Sequence, residues 1–145
     1  MGQGLLRTKK MRCLNFKKEI NGFKVDIDIP MNTVFFSQSG TGISYLFSLI
    51  AHYCLENGIS FCKIDEGSTD EVKNILIKNR KAVVIMLDDA DLYLNTEIMD
   101  LLDTENSLVL IRAHGPVINF LEYNITPSSY HIEFDEEKFL LTYNR

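Results

Sequence analysis

The chain has 145 residues, of which 46% are hydrophobic and 24% are charged, and this size and composition predict one globular domain over residues 1–145. No apolar run approaches the roughly 20 residues of a membrane span, and the first residues lack the apolar core of a secretory signal, so we expect a cytoplasmic protein without membrane contact. The three scattered cysteines, Cys13, Cys54 and Cys62, fit buried thiols in a reducing compartment.

The net charge of −5 is distributed unevenly along the sequence. Residues 1–24 carry seven lysines and arginines and one acid, whereas the remainder carries eight basic and nineteen acidic residues. Residues 1–9 are predicted to be a disordered leader. This basic N-terminal segment could contact nucleic acid or an acidic partner, but a solvated leader followed by an exposed strand face explains the charges more simply, because no aromatic platform accompanies them.

An antiparallel hairpin is predicted before residue 30. In its second strand, apolar and charged residues alternate at period two, which places Phe23, Val25, Ile27 and Ile29 on one face. The first strand begins near Met11, and Asn21-Gly22, the strongest two-residue hairpin signal, separates the two strands. Pro30 then ends the hairpin.

A short apolar strand, a loop of small residues and an amphipathic helix are predicted in succession over residues 33–58. The strand covers residues 33–36, the loop covers residues 37–42, and Asn57-Gly58 stops the helix. The apolar face of the helix consists of Ile43, Leu46, Phe47, Ile50, Tyr53 and Cys54. In this order of elements, the backbone N–H groups of the loop and of the helix start converge on a point that can bind an anion.

Two strands with a helix between them are predicted next. Residues 59–64 form a buried strand, and Ser68-Thr69-Asp70-Glu71 is a capping box that opens a helix. That helix is predicted to bury Val72, Ile75 and Leu76. Residues 82–87 are apolar throughout, which indicates a strand buried on both faces of a parallel sheet, and Asp88-Asp89 follows it directly.

The last third of the chain continues the same alternation of strands and helices. The predicted elements are a helix over residues 95–103 with Ile98, Leu101 and Leu102 inward, a buried strand over 107–111 ending at Arg112, helical turns over 117–121, a loop over 126–129, and a terminal hairpin with strands 130–134 and 138–143 around a turn at 135–137. Strand–helix alternation with continuous apolar strands predicts an α/β fold with an open parallel sheet and right-handed crossovers.

Residues 37–44 read S-Q-S-G-T-G-I-S, and the phosphate-binding P-loop motif reads G-x-x-x-x-G-K-[ST]. Gly42 and Ser44 fit the motif, and about 45 residues later Asp88-Asp89 ends an apolar strand as in a Walker B element. The chain therefore resembles a P-loop NTPase of the AAA+ or RecA type, and its preceding hairpin is similar to that of ABC-type ATPases. This resemblance implies a three-layer P-loop NTPase-like parallel sheet with an N-terminal antiparallel β-hairpin and a C-terminal β-hairpin.

The same resemblance assigns a role to individual residues. The phosphate ligands would be Ser39, Gly40, Thr41, Gly42 and Ser44. Ser44 and Asp88 would hold Mg²⁺ when a nucleotide binds, and Asp89 would be the catalytic residue that positions the attacking water. Arg112 follows the next strand, where such enzymes carry a polar sensor residue.

Two positions depart from the motif, because Ile43 replaces its lysine and Ser37 replaces its first glycine. Isoleucine cannot make the charge-assisted hydrogen bonds to phosphate, which are worth about 1.5–3 kcal/mol each. A side chain at position 37 also resists the tight backbone turn that glycine allows. We therefore predict weak or absent binding of Mg-ATP or of another phosphate ligand, in a pseudoenzyme that acts as a binding or regulatory module for a protein partner such as a complete ATPase.

Other interpretations stay open. An unorthodox ATP or GTP hydrolase would take the missing charge from a residue such as Lys63 or from a partner in trans, and a nucleic-acid-associated protein would use the basic N-terminal segment. Residues 37–42 can equally be a plain strand-to-helix turn, Asp88, Asp89 and Asp91 caps or solvated acids, and Arg112 an ordinary surface or ion-pairing arginine. The histidines show no metal-ligand spacing, and the cysteines lack a histidine partner for nucleophilic chemistry.

Overall fold

The computed structural model describes residues 13–20, 23–37, 42–127, 129–134 and 138–144. The strands are β1 (Leu14–Ile20), β2 (Phe23–Ile29), β3 (Thr33–Phe36), β4 (Phe61–Ile64), β5 (Val84–Leu87), β6 (Leu108–Ala113), β7 (Thr126–Pro127), β8 (Ser129–Phe134) and β9 (Lys138–Asn144). The helices are α1 (Ile43–Glu56), α2 (Thr69–Lys78) and α3 (Thr96–Asp100), with 3-10 turns η1 (Ala90–Leu92) and η2 (Phe120–Tyr123). None of these helices has the length and apolarity that crossing a membrane requires.

A five-stranded parallel sheet in the order β4-β5-β6-β3-β7 forms the centre of the protein. The predicted α/β fold with a parallel sheet is therefore confirmed. Strands β5 and β6 are buried at every position, as their continuous apolar sequences predict. The loop predicted over residues 126–129 is wrong in part, because residues 126–127 pair with β3 as a short edge strand.

Helices cover both faces of the parallel sheet. Successive residues of a strand point to opposite sides, so each strand supplies side chains to both faces. On one face, α1 packs on Phe35, Val84, Met86, Leu108 and Leu110. On the other face, α2, α3 and η2 pack on Val34, Ile85, Leu87, Val109 and Ile111. Full burial of one such Leu, Ile, Val or Phe side chain contributes about 1.5–3 kcal/mol, so the two clusters account for most of the cohesion of the sheet.

A second sheet, in the order β1-β2-β9-β8, joins the two predicted hairpins. Both hairpins are confirmed as antiparallel pairs, with Ile20 opposite Phe23 in the first and Phe134 opposite Phe139 in the second. Their predicted turn residues, 21–22 and 135–137, lie outside the described residues, as does the predicted leader over residues 1–9. The parallel pairing of β2 with β9, which turns the hairpins into one sheet, was not predicted.

The N-terminal hairpin packs on the face of α1 that points away from the parallel sheet. Its Val25, Ile27 and Ile29 belong to the same apolar cluster as α1. Phe16 stacks on Tyr53, with ring centroids 3.8 Å apart and an interplanar angle of 8°. Tyr53 was predicted on the buried face of α1, and it is half-buried in this contact.

Some predicted boundaries and burials are wrong. Ile75 on α2 is 38% exposed, because α2 buries only Val72 and Leu76. Strand β6 extends to Ala113, so Arg112 lies within the strand rather than after it. The helix predicted over 95–103 spans only 96–100, and the helical turns predicted over 117–121 lie at 120–123 instead.

The cysteines are all free, but only two of them are buried. Cys13 is exposed, which corrects the prediction of three buried thiols. Burial raises the pKa of the Cys54 thiol to about 11 and also raises the pKa of Cys62. Both buried thiols therefore stay protonated near neutral pH and are weak nucleophiles.

Candidate functional site

The candidate site lies at the carboxyl ends of β3, β5 and β6. After β3 the chain passes to α1 on one face of the sheet, whereas after β6 it passes to η2 on the opposite face. Strands β3 and β6 are adjacent, so the loops that follow them diverge from one edge. In parallel α/β sheets, the point where loops diverge in this way at the carboxyl ends is the usual place for a ligand.

Asp88 bonds both Ser44 and Arg112 at this edge of the sheet. It follows β5, its backbone N–H donates to the Ile64 carbonyl oxygen at 2.8 Å, and the residue is only 5% exposed. Its Oδ2 accepts a hydrogen bond from Ser44 Oγ at 2.8 Å, and its Oδ1 accepts from Arg112 Nε at 2.5 Å. The backbone N–H of Asp89 also donates to Oδ1, at 2.8 Å. Both oxygens of this buried carboxylate are therefore satisfied.

Arg112 bridges the two consecutive acids. Its Nε bonds Asp88, and its terminal NH2 group bonds Asp89 Oδ1. Burial lowers the pKa of Arg112, but the hydrogen bonds and negative charges of Asp88 and Asp89 outweigh burial and raise it above its ordinary value. Asp89 adopts the left-handed backbone region with φ of 48°, which aspartate tolerates better than most residues.

Tyr93 fixes the backbone of Asp88 through a hydrogen bond. Its hydroxyl donates to the Asp88 carbonyl oxygen at 2.5 Å and also lies 3.5 Å from the Ile64 carbonyl oxygen. Burial is the main cause that raises the pKa of Tyr93 far above its usual range, and the charge of Asp88 adds to it. The hydroxyl therefore stays a donor, and it fixes the backbone from which the two acids project.

Asp91 and His114 form a second pair beside the first. Asp91 Oδ1 accepts the His114 backbone N–H at 2.7 Å and lies 3.1 Å from His114 Nδ1. Burial raises the pKa of Asp91, but hydrogen bonds from His114 and the backbone of Gly115 outweigh it, so the pKa lies below its ordinary value. This pair was not predicted, because the histidines show no ligand spacing in the sequence. The informative signal was that the two residues follow adjacent strands.

The start of the loop is tied to the neighbouring strand. The Ser37 backbone N–H donates to the Ala113 carbonyl oxygen at 3.0 Å. Ser37 Oγ is buried and has no hydrogen-bond partner within the described part of the chain. Of the predicted phosphate ligands, Ser39, Gly40 and Thr41 lie outside the described residues.

The start of α1 is apolar at the position where the P-loop motif has a lysine. Gly42 caps the helix with φ of 97°, a value that favours glycine. Ile43, at the motif's lysine position, is 1% exposed and belongs to the apolar core. Its side chain therefore contributes to the packing of α1 and supplies no charge to the loop.

The predicted site residues come together only in part. Ser44, Asp88, Asp89 and Arg112 form one connected cluster. Lys63 does not compensate for the missing lysine, because β4 is separated from β3 by two strands and Lys63 Nζ bonds Asp65 at 2.6 Å.

The cluster can hold a cation but already contains one. Serine hydroxyl and carboxylate oxygens are ligands that Mg²⁺ accepts, and Ser44, Asp88 and Asp89 provide them. Arg112, however, engages both carboxylates. The described ranges contain no group of three or more His, Cys, Asp or Glu side chains arranged to hold a metal ion.

Comparison of this chain with protein-family models, with curated proteins and with solved structures gives no significant match.

Proposed function

We propose that this chain is a degenerate P-loop NTPase-like protein of the cytoplasm that binds nucleotide weakly or not at all and acts as a binding or regulatory module for a protein partner. The single observation that carries the proposal is the 2.8 Å hydrogen bond from Ser44 Oγ to Asp88 Oδ2. It joins the hydroxyl of the loop motif to the acid of the second motif across 44 residues of sequence.

This contact is what the resemblance leads us to expect. In P-loop NTPases, the hydroxyl and the acid share one Mg²⁺ and so lie within reach of each other. An acid that only capped a strand end would have no reason to bond this particular serine. The position at the divergence of the loops after β3 and β6 adds independent support. The three free cysteines agree with a reducing compartment.

Weak nucleotide binding follows from the same cluster. Ile43 is buried in the core, and Arg112 neutralises the acids on which a Mg²⁺ ion would have to bind. A triphosphate that approached the loop would meet backbone N–H groups and hydroxyls but no lysine. Losing that charge removes the strongest class of hydrogen bond available to the ligand.

Calorimetric titration with Mg-ATP and Mg-GTP tests the proposal. We expect a dissociation constant well above the micromolar range or no measurable heat, and sub-micromolar affinity would overturn the claim of degeneracy. Titration with millimolar pyrophosphate, followed by amide chemical shifts, tests the scaffold itself. Shifts should cluster at residues 42–46 and 88–89; shifts confined to other regions would contradict it.

A second candidate is an unorthodox ATP or GTP hydrolase, which the intact Ser44–Asp88 contact also favours. In this case Asp88 would hold the metal, Asp89 would orient the water, and the missing cation would come from a partner in trans. Phosphate release that disappears in the Asp88→Ala variant would support it. Absence of turnover with DNA, RNA and candidate partner proteins would exclude it.

Nucleic-acid binding by the basic N-terminal segment stays a prediction. Of the three lysines that are described there, Lys17, Lys18 and Lys24, the first lies 3.9 Å from Asp26 and the second lies 2.9 Å from Glu56, so two of the three already have acidic neighbours. Binding through this segment should weaken steeply with salt and disappear on deletion of residues 1–18.

A further inference from the structure

The guanidinium of Arg112 lies where a metal ion would have to bind. It contacts one oxygen each of Asp88 and Asp89, while the second oxygen of Asp88 accepts the Ser44 hydroxyl. Within the described ranges, no other cation bonds either acid. The side chains of Arg112 and Asp88 are only 5% and 7% exposed, so water does little to screen their charges.

We propose that Arg112 is a built-in substitute for a divalent cation. Its guanidinium holds Asp88 and Asp89 together and thereby positions Ser44 and the first turn of α1 without any metal. This inference concerns the charge balance of the cluster alone. It does not depend on whether a nucleotide binds.

The physical need for a cation here is direct. Two carboxylates on consecutive residues, one of them buried, repel each other, and a positive charge between them offsets that repulsion. A guanidinium suits this position because it is permanently charged and its planar fork can bond two carboxylates at once.

A divalent ion could replace the guanidinium if it were removed. Mg²⁺ usually binds through one or two carboxylates, with waters or phosphate oxygens at its other positions, so Asp88, Asp89 and the Ser44 hydroxyl supply the protein's share of such a ligand set. The Asp89 side chain is 40% exposed, which gives an ion and its waters access from solvent. An ion pair with a single exposed acid would leave no comparable set of ligands when its cation is deleted.

The test compares wild type with Arg112→Met and with Arg112→Met/Asp88→Asn. Each protein is titrated with MgCl₂, MnCl₂ and CaCl₂ to 10 mM, against NaCl at equal ionic strength, and Tm is measured by circular dichroism. We expect a saturable rise in Tm by several degrees for Arg112→Met only. Wild type should not respond, because Arg112 fills the cation position. The double variant should not respond, because it lacks the Asp88 carboxylate.

A local measurement separates this site from binding elsewhere. In Arg112→Met, substoichiometric Mn²⁺ should broaden the amide signals of Ser44 and Asp89 first, and in wild type it should not. Lys73→Met is the matched control, because it removes a cation from the exposed Glu97, 2.7 Å away, and should gain no metal response.

Several outcomes overturn the proposal. It fails if Arg112→Met folds and gains no stability from any divalent ion, or if wild type responds as strongly as the variant. It also fails if Arg112→Met does not fold at any cation concentration while the double variant folds. Should neither fold, Arg112→Gln carries the test, since glutamine keeps a hydrogen-bond donor but no charge and so leaves the cation position vacant; a Mg²⁺ response no larger than that of wild type then overturns the proposal.

Discussion

The two ends of the parallel sheet use polar side chains in opposite ways. At the amino end, Asn32 accepts the Val109 N–H at 2.9 Å and donates to the Thr104 carbonyl oxygen at 2.8 Å. Ser107 Oγ there donates to the Ala82 carbonyl oxygen at 2.7 Å. At the carboxyl end, Ser44, Asp88, Asp89 and Arg112 bond one another through their side chains.

This difference separates residues that complete the fold from residues that need another explanation. A neutral side chain that satisfies a backbone group closes the hydrogen bonding of a turn and adds about 1 kcal/mol of stability. Burying an ion pair gives no such assured gain, because desolvation of the charges offsets their attraction. A charged cluster at the ligand-binding end of an α/β sheet is therefore a functional candidate, whereas the amino end is structural.

The largest loss of stability is expected when the charged cluster is broken. Arg112→Met leaves two acids without a cation and should lower the free energy of unfolding by about 3–5 kcal/mol in metal-free buffer. Adding Asp88→Asn should recover part of that loss, because it removes one of the uncompensated charges. Urea denaturation of both variants and of wild type measures this coupling; strictly additive losses would mean that the pair is not coupled.

A smaller loss is expected at the amino end. Asn32→Ala removes both of its bonds to backbone groups and should destabilise the protein by about 2 kcal/mol, because the Val109 N–H and the Thr104 carbonyl lose their partner. Asn119→Ala is the control. The Asn119 side chain bonds the exposed Glu122, so its loss should lower the free energy of unfolding by less than about 0.5 kcal/mol. No metal ion should rescue Asn32→Ala.

The contact between the two motifs is tested on α1. Ser44→Ala removes the donor to Asp88 and should lower the free energy of unfolding by about 1 kcal/mol more than Ser48→Ala, whose hydroxyl bonds the Ser44 carbonyl oxygen. Both changes gain the same helix propensity, so their difference in unfolding midpoint isolates the bond to the carboxylate. Equal stability of the two variants would contradict the importance of this contact.

The weakest expected effect concerns Asp91 and depends on pH. Its folded pKa lies below the ordinary value of 3.8, so the ionised carboxylate contributes stability at pH values above 3.8. That contribution is lost as the pH falls through the lower folded value. Asp91→Asn should therefore be less stable than wild type by up to about 1 kcal/mol at pH 7, and the gap should close in acid. Thermal unfolding from pH 3 to 7 checks this; a constant gap would contradict it.

The elements of the fold could be predicted because their signals are local. The alternation in β2, the continuous apolar run of β5 and the Ser68 capping box each depend on a few neighbouring residues. Two pairings could not be predicted for the opposite reason. The two residues of β7 are too short to show a period, and the pairing of β2 with β9 joins distant segments by backbone bonds that leave no sequence pattern.

The candidate site divides in the same way. Ser44 and Asp88 were predictable as candidates because each fits part of a local sequence pattern, and the order of the two patterns led us to expect their contact. The partners of Arg112 were not, since the register of β6 against β5 decides which acids it reaches. The Asp91–His114 pair depends on the same adjacency of strand ends, which becomes visible only when the sheet is assembled.

The order in which the sheets close has a consequence for synthesis on the ribosome. Strand β2 has β1 on one side and β9 on the other, and β9 is synthesised only after all the strands of the parallel sheet. Until then, the second edge of β2 offers unpaired N–H and C=O groups to any strand nearby, including those of neighbouring nascent chains. The nascent chain is therefore prone to aggregation until β9 has left the exit tunnel.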